Sequence, residues 1–123
     1  MATTATVSVA LAYSDANGSE ELAPDAVEIT LTNAGFTRIR QSIATSETTI
    51  NLAGLSGPGL AVFVNRDATN YVELKVAASG AIFAKLGAAG KAPALLQLGS
   101  GAQVPVAIAN AGACIIDTFI LRT

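Results

Sequence analysis

The pattern that most narrows the fold is a period-two alternation of apolar and polar side chains, held in short runs and broken by turn residues roughly every eight to twelve positions. It is clearest between Leu60 and Leu98. Leu60-Ala61-Val62-Phe63-Val64 is a short apolar run, stopped by the polar stretch Asn65-Arg66-Asp67-Ala68-Thr69-Asn70. Tyr71 to Val76 alternates, which places Val72, Leu74 and Val76 on one face of a strand. Ser79-Gly80 turns the chain into Ala81 to Leu86, and Pro93 to Leu98 closes the set after the loop Gly87 to Ala92. Four short strands in this order predict an antiparallel meander, with Gly87 to Ala92 as a hairpin loop.

The flanking sequence continues the pattern. Residues 5–13 predict a first strand with Val7, Val9, Leu11 and Tyr13 on one face, and Ser14 to Pro24 reads as a turn-rich loop. Val27, Ile29 and Leu31 mark a second strand. Phe36 to Ile43 marks a third, with Ile39, Gln41 and Ile43 on one side and Arg38 and Arg40 projecting from the other. Thr48, Ile50 and Leu52 give a fourth. Val104, Val106 and Ile108 alternate again, and Pro105, which lacks an N–H, predicts an edge strand or a bulge there. In the last segment Ile115, Phe119 and Leu121 share a face with Asp117, while Cys114, Ile116 and Ile120 face the other way. A strand apolar on both sides suits the middle of a sheet or a subunit contact. Gly87, Gly90 and Pro93 interrupt the one stretch that invites a helix. The expectation is one all-β domain over residues 1–123, an antiparallel β-sandwich of jelly-roll-like kind with nine or ten short strands. A chain of 123 residues suits a single core.

The residue types present restrict the chemistry. Histidine is absent, and with it the usual general base, the Ser-His-Asp and Cys-His arrangements and the commonest transition-metal ligand. Cys114 stands alone inside an apolar strand, where a thiol acts as a small hydrophobe. Gly87-Ala88-Ala89-Gly90-Lys91-Ala92 lacks the first glycine, the hydroxyl residue and the helix of a phosphate-binding loop. Asp15-Ala16-Asn17-Gly18-Ser19-Glu20-Glu21 gathers oxygen ligands without the order of a calcium loop, and reads as an acidic loop that blocks edge pairing. No catalytic residue, cofactor or metal site is expected, and the chain does not read as an enzyme. A net charge of −2 argues against a nucleic-acid groove. No apolar run approaches the ~20 residues that cross a bilayer. The start of the chain has no signal core, which predicts synthesis in a cytoplasm.

Only 13% of residues are charged, about half the usual share, so part of the surface is expected to be covered by other protein. Arg38 and Arg40 can dock on carboxylates of a partner or form a solvated face that deters edge association. Ala2, Thr3 and Thr4 form either a frayed end or an arm docked on a neighbour. Tyr13 and Tyr71 are the aromatic residues open to a sugar-binding role, against ordinary half-buried packing.

The segments Asn65-Arg66-Asp67-Ala68-Thr69-Asn70-Tyr71-Val72-Glu73-Leu74, Ser79-Gly80-Ala81-Ile82-Phe83-Ala84-Lys85-Leu86 and Ala94-Leu95-Leu96-Gln97-Leu98 together resemble small virion proteins of tailed bacteriophages. The loop Gly87 to Pro93 departs from that family's glycine-led pattern, and the two ends of the chain carry no resemblance. The resemblance implies a structural β-sandwich without enzymatic activity. It implies a capsid decoration (cement) protein, often a homotrimer, whose partners are copies of itself and the major capsid protein at the virion surface. Head–tail junction and tail proteins are the alternative within that class. A carbohydrate- or receptor-binding module is the alternative outside it.

Overall fold

The alternating runs become strands. The protein, seen in a computed structural model, is described over residues 3–8, 10–22, 27–31, 36–53, 59–98 and 104–122, and its regular elements are strands apart from one 3-10 turn. The chain divides into two units, Met1–Ala34 with Thr123 and Gly35–Arg122.

The first unit holds β1 (Thr3–Val7), β2 (Leu11–Asp15), β3 (Gly18–Leu22) and β4 (Val27–Leu31). β1 pairs antiparallel with β4, from Thr3 opposite Leu31 to Val7 opposite Val27. β2 pairs with β3, from Leu11 opposite Leu22 to Asp15 opposite Gly18. The two ladders are nested in chain order and form separate two-stranded sheets, and the inner one, β2–β3, is a hairpin that reverses at Ala16-Asn17. Asp15 Oδ1 accepts the Asn17 N–H at 2.7 Å, and Gly18 takes φ +150°, a conformation that side chains disfavour. The expected loop from Ser14 to Pro24 is therefore corrected: β3 lies inside it. Gly-Ser-Glu-Glu-Leu carries no apolar alternation, and its strand character comes from the ladder with β2.

The second unit has, among the described residues, eight strands: β5 (Phe36–Ile43), β6 (Thr48–Thr49), β7 (Gly59–Asn65), β8 (Val72–Lys75), β9 (Ile82–Leu86), β10 (Ala94–Leu98), β11 (Val106–Ala109) and β12 (Cys114–Arg122). They form two four-stranded antiparallel sheets, β10-β7-β12-β5 and β6-β11-β8-β9. Counted within the unit, the first sheet runs sixth-third-eighth-first and the second runs second-seventh-fourth-fifth. That interleaving is a jelly roll, as expected. Ile43, Phe63, Val72, Leu74, Leu86, Ala107, Ile116 and Ile120 pack together as the core of the sandwich.

Three local expectations need correction. The meander does not form: only β8 and β9 make a hairpin, while β7 and β10 pair with each other in the opposite sheet. β7 lies inside its own sheet, between β10 and β12, so the run Leu60 to Val64 has no place beside β8. The loop Gly87 to Ala92 is accordingly a passage between sheets, with a 3-10 turn at Ala88–Gly90, and not a hairpin. β11 is not an edge strand; it lies between β6 and β8, and Pro105 precedes it, offering its carbonyl to the Ile50 N–H. β12, in contrast, sits between β5 and β7, as its two apolar faces require.

Candidate functional site

The outward faces of the two sheets differ in chemistry. On β6-β11-β8-β9 the outward positions include Glu73, Lys75 and Lys85, a mixed-charge surface that also carries exposed Ile82 and Phe83 on β9. On β10-β7-β12-β5 the outward positions include Leu95 and Val62, Val64, Ile115, Asp117, Phe119 and Leu121, with Phe36, Arg38, Arg40 and the polar Ser42 on β5. Leu95, Ile115 and Phe36 are exposed, Phe36 to 63%. The Phe36 and Phe119 rings lie 6.0 Å apart at the open end of this face. The exposed apolar side chains are spread along the face, with Phe36 and Ile115 toward opposite ends of the β5–β12 ladder, and they are candidates for contact with other protein.

Asp117 stands in the middle of that face. It is fully buried, because three guanidinium groups close over it. Arg40, directly opposite in the ladder, donates Nε to Oδ1 at 2.9 Å and Nη2 to Oδ2 at 3.3 Å. Arg38 donates Nη2 to Oδ2 at 3.0 Å while its guanidinium carbon lies 5.5 Å from the centre of the Phe119 ring. Arg66, on the connection after β7, donates Nε to Oδ2 at 2.9 Å. The Arg40 hydrogen bond, aided by Arg66 and Arg38, holds the Asp117 carboxyl far below the usual carboxylate range, against the opposing effect of burial. The same contact raises Arg40. One carboxylate cannot balance three guanidiniums, and all three remain about half exposed. Among the described residues the outer face thus joins apolar side chains to guanidinium charge that this carboxylate does not balance.

Arg38 and Arg40 are therefore brought together, but first by an internal carboxylate. Sequence reasoning missed Arg66, which sits in a turn without periodicity. The signal for the cluster was Asp117 itself, since a lone carboxylate in an apolar strand needs a counter-charge. Ala2 lies outside the described residues, as does the side chain of Thr3; Thr4 is exposed on β1.

The remaining candidates fall elsewhere. Cys114 is buried, and burial, with a smaller effect of Asp67, pushes its thiol up, away from nucleophilic behaviour. Asp15, Glu20 and Glu21 lie on the hairpin, where Tyr13 donates its hydroxyl to Asp15, and no metal-binding group of three or more His, Cys, Asp or Glu occurs among the described residues. Tyr71 is half-buried, with the Lys85 ammonium 3.9 Å from its ring centre, while Tyr13 is 61% exposed. No helix among the described residues is long and apolar enough to cross a membrane. Comparison with known protein families, with curated proteins and with solved structures finds no match.

Proposed function

We propose that this protein is a structural virion protein of a tailed bacteriophage, a capsid decoration protein that binds the capsid exterior and stabilises contacts between major capsid proteins, working as a homotrimer. The observation that carries the reading is the outer face of β10-β7-β12-β5, where three half-exposed guanidiniums stand among apolar side chains. The jelly roll and the resemblance of the segments within Asn65 to Leu98 support the virion assignment. Arg38, Arg40 and Ala2, Thr3 and Thr4 are the assigned contacts with neighbouring chains, Thr3 and Thr4 being part of β1 and paired with β4 where the sequence suggests a frayed end or a docked arm. A clip that binds only the assembled shell favours that state by mass action.

The test is co-sedimentation of the purified protein with phage particles that lack it. Saturable binding in fixed proportion to the major capsid protein, with a raised particle melting temperature, is the expected result. A proportion far below one copy per several capsid subunits assigns the protein to the neck or tail instead. Absence of binding to any particle component refutes the virion reading.

A further inference from the structure

The hairpin of the first unit poses a physical problem of its own. A two-stranded ribbon is marginal in water unless a third surface covers one face. β2 is exposed along its whole length, with Leu11 66% and Tyr13 61% exposed. Residues opposite one another in an antiparallel ladder share a face, so Leu11, Tyr13 and Asp15 lie together with Glu20. That face is apolar at one end and acidic at the tip. The charge of the chain is divided in the same way. The first 34 residues contain Asp15, Glu20, Glu21, Asp25 and Glu28 and no Lys or Arg, while all seven basic residues come later, against four acidic ones.

The sheet face built around Asp117 is the counterpart. It offers apolar contact at Phe36, Phe119, Val62 and Leu95, and unmatched guanidinium at Arg38, Arg40 and Arg66. We infer that the β2–β3 hairpin of one copy docks on the outer face of the β10-β7-β12-β5 sheet of a second copy. Leu11 and Tyr13 meet the Phe36–Phe119 floor, and Asp15 and Glu20 meet the exposed guanidinium edges. Carboxylate on guanidinium is the pairing that planar, bidentate recognition favours. The contact uses different patches on the two copies, so it closes either by reciprocal exchange in a two-fold pair or as a head-to-tail ring of three or more. The inference rests on the proposed reading only in taking this face as a protein contact, and it requires no capsid.

The experiment is sedimentation equilibrium of the full-length protein over a range of concentration and salt, without particles. The expected result is a closed oligomer whose association weakens as salt rises. Substitutions Leu11→Ser, Tyr13→Ser and Glu20→Lys, combined in one chain, leave the Asp117 cluster untouched and are expected to weaken association by about tenfold or more. Their folding is checked by an unchanged thermal transition of the jelly roll. A second measurement locates the contact: Tyr13→Cys in one preparation and Phe36→Cys in another are mixed and oxidised. A disulfide between the two chains, formed only in the mixture, is expected. A wild-type monomer at every concentration, hairpin variants that associate like the wild type, or a Tyr13→Cys/Phe36→Cys chain that cross-links only within itself overturns the inference. Capsid binding by a protein that stays monomeric would spare the virion reading while refuting this one.

Discussion

Asp117 shows how one side chain can set the character of a surface. It sits on a mostly apolar strand, and its burial is tolerated because Arg40, Arg66 and Arg38 satisfy both oxygens. Its folded pKa lies below its unfolded value of about 4. Its contribution is therefore complete above that unfolded value and is lost as pH falls through the depressed folded value. Asp67, lowered by the backbone N–H groups of Asn70 and Thr69, acts in the same direction, as does Glu47, lowered first by Lys75. Stability measured by urea unfolding is expected to be level near neutral pH and to fall below about pH 4. Asp117→Asn should lower stability at neutral pH by about 1–3 kcal/mol, toward the lower figure because the released guanidiniums are half exposed and can hydrate. The acid fall of that variant should also be shallower. Thr118, next in the chain, points into the core, and its hydroxyl finds no hydrogen-bond partner among the described residues. Thr118→Val keeps the shape and removes the buried polar atom, so a gain of about 1–2 kcal/mol is expected in the same assay. Arg38 and Arg40 were legible in the sequence as neighbours on one face, and Asp117 as an intruder in an apolar strand. Their meeting was not, because the register between β5 and β12 joins segments far apart in the chain, and local alternation carries no information about it.

Strands were more legible than their partners for a related reason. Period two reports which face of a segment is buried, and Val72, Leu74, Ile116 and Ile120 are buried as the pattern requires. It does not report which sheet a strand joins. That choice is made in the connections. After β7, buried Asn65 donates Nδ2 to the Asn70 carbonyl at 2.7 Å and accepts the Asp67 N–H at 2.9 Å, while Asp67 Oδ1 accepts the N–H groups of Thr69 and Asn70. The turn is thus tied into an arch that carries the chain from one sheet to the other, where a sequence of polar residues alone reads as a hairpin. Gly87 opens the return passage. A Cβ there would lie 2.7 Å from the Lys91 carbonyl oxygen, so the limit is space and not backbone freedom. Gly87→Ala is expected to cost about 1–3 kcal/mol, read as a lower melting temperature with the strand content unchanged. An unaltered melting temperature would mean that the loop gives way without cost.

The jelly roll is closed by its own ends. β5, the first strand of the second unit, and β12, the last, pair over their length, from Phe36 opposite Leu121 to Ile43 opposite Cys114. β12 is also the only strand between β5 and β7 in that sheet, and it contributes Cys114, Ile116 and Ile120 to the core. Long-range pairing of this kind delays folding until the whole segment is available, because loop closure precedes the contacts that reward it. The two ends of the chain should therefore respond oppositely to truncation. A chain that stops at Ala113 leaves β5 and β7 with unpaired backbone groups along a sheet interior and removes the buried side chains of Cys114, Ile116, Asp117, Thr118 and Ile120. It is expected to lose the cooperative calorimetric transition and the dispersed amide spectrum of a folded protein. A chain that starts at Gly35 keeps every buried hydrophobic residue among those described, since all of them lie between Ile43 and Ile120. It is expected to keep a single cooperative transition. Equal damage from the two truncations would mean that the hairpin unit is part of the folding unit, and that the stability of the jelly roll does not reside in its own two sheets.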